Sequence, residues 1–198
     1  MKKPFKILGI VLAVVIGSVV VVFALGAFWL MTATNLPISD NDKNLIVRAR
    51  DLIPYFDEYS PADEYESFEK VRYIDHSEEL NYEYDSQKED EPYIAVTVSH
   101  EKSRSDANST YAIEWSAQRL GLNIADAEID LEESSSFYSA GDRSRFANIS
   151  YDGESVGHIF VAQKGNSVFA FTITGFVMDD PRLWHELFDD RITELEGN

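Results

Sequence analysis

The sequence predicts an α+β protein, an N-terminal transmembrane helix followed by an antiparallel β-sheet domain with flanking helices. Three observations carry the prediction. Residues 7–31 are uncharged, with Ser18 the one polar side chain. Segments within 68–100 and 144–177 alternate apolar and polar residues with period two, as half-buried strands do. Segments 107–120 and 181–195 switch to the 3.6-residue spacing of an amphipathic helix.

The apolar run from Ile7 to Met31 is 25 residues long. As a helix rising about 1.5 Å per residue it spans about 37 Å, enough for a hydrocarbon core of about 30 Å. A buried core helix seldom stays apolar on every face for that length. Lys2, Lys3 and Lys6 precede the run and no acidic residue occurs before Asp40, which orients residues 1–6 to the cytoplasm and the remainder outside. The expected location is therefore the cell membrane, single-pass. A cleaved signal peptide competes through the small residues "ALGA" at 24–27, but its apolar region normally runs only about 7–15 residues, which favours an uncleaved signal-anchor. Gly9, Ala13 and Gly17 stand four apart, a spacing that lets membrane helices approach closely. The expected partners are thus the lipid bilayer through 7–31, and a protein partner or a homodimer through the membrane helix.

Residues 32–44, polar and interrupted by Pro37, read as a linker, and 45–198 as the extracytoplasmic domain. "LIVRARDLIPYFDEY" supplies one or two helical turns before Pro54. Three strands follow, "FEKVRYID", "ELNYEYD" and "YIAVTVSH", with Leu80, Tyr82 and Tyr84 on one face and Ile94, Val96 and Val98 on one face of the next. Asp75, His76 and Ser77 form the first turn, and residues 86–91 a charged loop. A helix is predicted over 107–120, with Asp106 as N-cap, Tyr111 and Trp115 on one face and Gly121 at its end. "IADAEIDLEE" is open to a strand and "SSSFYSAGD" to a loop. Three more strands, joined by Asp152-Gly153 and Gly165-Asn166, make an antiparallel meander. The last helix opens on an acidic cap and Pro181, and its stripe of Trp184, Leu187, Phe188, Ile192 and Leu195 should pack on Phe169, Phe171 and Ile173.

The chain of 198 residues carries a formal charge of −18; without its three N-terminal lysines the rest stands at −21. Phosphate backbones repel such a surface, which excludes nucleic acid as a partner. The acidity either simply solvates the domain or attracts a basic partner or divalent cations. No cysteine is present, so neither disulfides nor a lipid-modified cysteine contribute.

Gly153, Ser155 and Gly157 match the G-x-S-x-G spacing of a hydrolase nucleophile elbow. The elbow needs a helix after its serine, whereas Ser155 leads into a strand pattern. Its remaining partners would be Asp179 or Asp180 with His185. A hairpin explains the same residues, with Gly153 in the turn and Gly157 where a neighbouring backbone or ring comes close. His76, His100, His158 and His185 are scattered, without the i, i+4 pairing of a helical zinc site. The acidic doublets Asp179-Asp180 and Asp189-Asp190 lack the alternating ligands and glycine of a calcium loop. Seven of the ten tyrosines lie between Tyr55 and Tyr93, suiting either an exposed binding patch or half-buried strand faces. No catalytic, cofactor-binding or metal residue is assigned, and no cofactor is expected.

The ending "GNSVFAFTITGFVMDDPRLWHELFDDRITELE" resembles the close of the PsbP/Mog1/DcrB-like group, with its aromatic final strand, short polar turn and helix presenting Trp, Leu and Phe to the sheet. The resemblance covers the last 55 residues or so, and the earlier strand and helix order more loosely. It implies an α/β/α sandwich and a binding or accessory role, and it transfers no functional residue. The expected function is a membrane-anchored envelope protein whose acidic domain is a binding or accessory module. The alternative is an envelope hydrolase or metal-dependent enzyme using Ser155 or the acidic surface.

Overall fold

The computed structural model describes residues 33–56, 59–86, 88, 91–125 and 129–195. The proposed membrane span 7–31, the Gly9/Ala13/Gly17 stripe and three positions of the 86–91 loop lie outside the described residues. Among the described residues no helix is long and apolar enough to cross a membrane.

The chain forms β1 (Thr34–Asn35), α1 (Asp40–Asn44), 3-10 turns at Ala49–Tyr55 and Asp63–Tyr65, β2 (Glu66–Arg72), β3 (Glu78–Asp85), β4 (Tyr93–His100) and α2 (Arg104–Ala125). Then come β5 (Ile129–Glu133), β6 (Arg143–Tyr151), β7 (Glu154–Lys164), β8 (Ser167–Thr174) and α3 (Pro181–Glu194). The strands make one eight-stranded antiparallel sheet in the order β1-β2-β3-β4-β8-β7-β6-β5. It consists of two meanders joined along the β4–β8 pair, with α2 carrying the chain from one to the far edge of the other. This is the antiparallel α+β domain with flanking helices that the alternating patterns predict.

Strand alternation sends successive side chains to opposite faces, and each face has its own core. On one face Leu80, Tyr82, Ile94, Val96, Phe160, Phe169 and Phe171 pack beneath α3 and the segment Leu45–Leu52. The apolar stripe of α3 lands on the expected strand, with the Phe188 ring 4.9 Å from Phe171 and Trp184 stacked on Phe188 at 4.8 Å. Asp180 caps α3, accepting from the Arg182 N–H, and Pro181 takes the first position. On the opposite face Ala107, Tyr111 and Trp115 of α2 pack on Ala147, Ile149, Ile159, Val161 and Ala170. Burial of each large side chain contributes roughly 1.5–3 kcal/mol.

The expected cap at Asp106 and helix over 107–120 require correction. Ser103 is the cap: its Oγ accepts from the Asp106 N–H at 3.1 Å and donates to the Asp106 carboxylate at 2.7 Å. The Ser103 hydroxyl thus satisfies a first-turn N–H while the Asp106 carboxylate holds it in place, so α2 starts three residues earlier, and it runs past Gly121 to Ala125. The stretch read as linker contains β1, paired with β2 through Thr34 and Arg72, and α1, capped by Ser39. Pro54 lies inside the Ala49–Tyr55 turn.

The hairpin reading of Gly153 and Gly157 matches the structure. Asp152 and Gly153 both have positive φ, 52° and 78°. Between Ile149 and Ser150 the β6–β7 register shifts, leaving Val156 without a counterpart. A Cβ on Gly157 would lie 2.1 Å from the Ile173 carbonyl oxygen, so the β7–β8 contact there requires glycine.

Candidate functional site

Ser155 lies exposed in β7 opposite Ser150, with strand on its C-terminal side. Two of its nominal partners, Asp180 and His185, are engaged elsewhere. Asp180 holds the start of α3 together with Arg182, and His185 Nδ1 lies 3.0 Å from Asp189 Oδ2. The geometry of a nucleophile elbow is absent at this position.

His158 is buried between Phe146 and Trp184. Its Nε2 accepts the Met178 N–H at 2.7 Å, which fixes the proton on Nδ1, from where it is donated to Asn148 Oδ1 at 3.0 Å. Trp184 Nε1 donates to the Met178 carbonyl at 2.9 Å, so one backbone unit ties sheet, loop and helix together. Burial depresses the imidazole to about 4, against a small opposing pull from Asp179. Both ring nitrogens are used structurally. Burial also lowers His100, whose Nδ1 meets Ser167 Oγ at 2.7 Å. Among the described residues no group of three or more His, Asp or Glu is arranged to hold a metal ion.

Of the tyrosines between 55 and 93, Tyr59, Tyr82, Tyr84 and Tyr93 are buried. The Tyr82 hydroxyl accepts from the Ala49 N–H and donates to Glu66, while Tyr84 donates to Glu91. These rings belong to strand faces and loop anchors. They are not an exposed binding patch.

The surface that stands out is the α2 side of β2, β3 and β4. Alternation places Glu69 of β2, Glu79, Asn81 and Glu83 of β3, and Thr97 and Ser99 of β4 on this face, with Glu101 just beyond. α2 lies over β7 and β8 and reaches only the near side of β4. The Thr110 and Glu114 flank of the helix therefore forms a wall facing the carboxylates of β3. Glu79 accepts from Asn81 Nδ2 at 2.7 Å and from the Tyr73 hydroxyl at 3.3 Å, and Glu101 accepts from Thr110 Oγ1 at 2.6 Å. Glu114 has burial acting against its charge, reinforced by Glu79 and Glu101, which lifts its carboxyl to about 7. Burial, with nearby carboxylates, also raises Glu101. Ser99, directly opposite Glu79 in the β3–β4 pair, is 3% exposed and its hydroxyl has no hydrogen-bond partner. Crowded carboxylates with raised proton affinity beside an unsatisfied hydroxyl can take up a proton or a cation.

A second feature is a cavity of about 300 Å³ between α1, the Ala49–Tyr55 turn and the end of α3. Its walls carry Lys43, Arg48, Asp51, Asp190, Arg191 and Glu194. Arg191 is fixed by Asp51 at 2.7 Å and by the Ile46 and Leu187 carbonyls.

Of these residues only Asp190 was singled out from sequence, in the Asp189-Asp190 doublet. The Glu79/Asn81/Glu83 alternation opposite Leu80/Tyr82/Tyr84 was visible, but its meeting with Glu114 depends on where α2 crosses the sheet. The cavity joins positions more than 140 residues apart. No family model, no curated protein and no solved structure matches the chain, so its site is described from its own residues alone.

Proposed function

We propose that this chain is a single-pass membrane-anchored envelope protein whose acidic extracytoplasmic domain is a binding or accessory module for a basic protein partner. The carboxylate face of β2–β4 carries the reading. One side of the sheet is covered by α3 and Leu45–Leu52, while the other is left half open and lined by Glu69, Glu79, Glu83, Glu101 and Glu114. A lysine or arginine side chain entering there would relieve the mutual repulsion of Glu79, Glu101 and Glu114. The anchor rests on the uncharged run Ile7–Met31 and the lysines before it. Thr34 is three residues beyond Met31, a reach of about 10 Å, so the domain would sit against the bilayer. A place in the PsbP/Mog1/DcrB-like group is part of this proposal, supported by the helix found on each face of the sheet.

The test titrates a lysine-rich peptide into the full-length protein in nonionic micelles. We expect salt-sensitive binding that weakens about tenfold in Glu79→Gln/Glu101→Gln/Glu114→Gln. Binding should persist in a control carrying Glu64→Gln, Asp130→Asn and Glu154→Gln, all exposed elsewhere. Equal weakening in both variants would reduce the effect to net charge and remove the assigned face.

A further inference from the structure

The cavity between α1 and α3 holds an arrangement of charge that the chain itself leaves unresolved. Arg191 and Asp51 neutralise each other and form a fixed floor. Lys43 and Arg48 enter from the N-terminal segment, Asp190 and Glu194 from successive turns of α3. Among the described residues none of these four forms an ion pair, although both signs line one space. Lys43 instead lies 5.6 Å over the Phe68 ring. The Nε of Arg48 is buried and donates to no acceptor. A buried N–H without a partner costs about 1–3 kcal/mol, more when charged, and most such groups in native proteins have one. In a chain of net charge −18, where acceptors are plentiful, the two cations of this wall and the two carboxylates that share the space stay without ion-pair partners among the described residues, which leaves both signs to a bound group.

We propose that this cavity binds a small zwitterion, its phosphate or carboxylate end held by Arg48 and Lys43 and its ammonium end by Asp190 and Glu194. The volume is at the lower end of the range of small-molecule sites, about 300–1,000 Å³. A simple anion would satisfy the cations and be repelled by the two carboxylates. A simple cation would meet the reverse. Only a ligand carrying both charges complements both walls.

Two sources supply this chemistry, a phosphoethanolamine lipid headgroup and a free amino acid. Thr34, Arg72, Glu78, His100 and Ser167 form one cross-strand row at an end of the sheet, and Ser167 Oγ donates to the Leu195 carbonyl just after Glu194. The cavity therefore lies toward the end at which the chain would leave the membrane, within reach of headgroups. Zwitterion binding itself does not depend on the anchor or on the acidic face. Only the choice of source rests on the membrane reading.

The test is calorimetric titration of the full-length protein in maltoside micelles with glycerophosphoethanolamine, glycine, inorganic phosphate and ethylammonium. At least one zwitterion should bind about tenfold tighter than either single-charge probe. Asp190→Asn, at an exposed position, should weaken zwitterion binding without weakening phosphate, and Arg48→Gln should weaken both. Should Arg48→Gln fail to fold, Lys43→Gln takes its place. Preference for glycerophosphoethanolamine identifies the headgroup, and preference for glycine the free amino acid. Zwitterions binding no tighter than phosphate or ethylammonium, or binding unchanged in these variants, would overturn the assignment.

Discussion

Replacing Glu114 by Gln should tilt the pH dependence of stability toward acid sensitivity, because Glu114 and His158 act in opposite senses over the same range. His158 titrates near 4 in the folded protein and near 6.5 when unfolded. Between those values only the unfolded chain takes up the proton, so its stabilisation is complete above 6.5 and is lost as pH falls toward 4. At about 1.36 kcal/mol per unit the full loss is about 3 kcal/mol. Glu114 titrates near 7 folded against 4.5 unfolded. There the folded protein takes up the proton, and stability rises as pH falls from 7 to 4.5. Glu114 is only half-buried, and water reaching its carboxylate trims that gain to about 2 kcal/mol. His100 acts in the sense of His158, and Glu101 in the sense of Glu114. Urea unfolding of the full-length protein and of Glu114→Gln, followed by near-ultraviolet circular dichroism at intervals from pH 7 to 5, measures the difference. The variant should lose about 1.3 kcal/mol relative to the parent over that interval, since roughly two thirds of the full gain develops there. Staying above pH 4.5 keeps Asp42, Asp75, Glu78 and Glu91, whose pKa values are lowered, from contributing. Parallel profiles for variant and parent would refute the crowding of Glu114 by Glu79 and Glu101.

Gly157→Ala should destabilise by about 3 kcal/mol or more in denaturant unfolding, because the new methyl meets the Ile173 carbonyl. Gly153→Ala should cost only about 1 kcal/mol, since space is open there and only its positive φ resists. A larger loss at 153 than at 157 would contradict the strand packing. Trp184→Ala should lose about 3–5 kcal/mol and release the Met178 loop, seen as faster amide exchange at Met178. Ser155→Ala should leave both stability and fluorophosphonate labelling of the protein unchanged, because Ser155 has no activating histidine. Labelling that vanishes in the variant would restore the hydrolase reading.

What the sequence made legible was what repeats with a period. Leu80, Tyr82 and Tyr84 had to share a face, and so did Trp184, Leu187, Phe188 and Ile192, because burying such a stripe outweighs any local preference. The hairpin turns were legible from Asp152-Gly153 and Gly165-Asn166 for a steric reason, since few residues tolerate positive φ. Boundaries were less so. Asp106 looked like a cap, yet Ser103 with Asp106 satisfies more groups. The seven clustered tyrosines allowed both surface and core; Tyr59, Tyr82 and Tyr84 join the core that Leu45–Leu52 covers, while Tyr55 stays exposed. The carboxylate face and the charged cavity were illegible because each is made by elements distant in sequence. No local pattern says that Glu114 will face Glu79, or Arg48 the end of α3.

The central claim, an acidic module held at the outer face of a membrane by residues 7–31, is tested most directly by alkaline carbonate extraction combined with protease added to intact cells or, where an outer membrane is present, to spheroplasts. We expect the full-length chain to stay in the membrane pellet and its domain to be digested from outside. Release of the intact chain into the carbonate supernatant, or a domain fully protected until the membrane is lysed, would contradict the account.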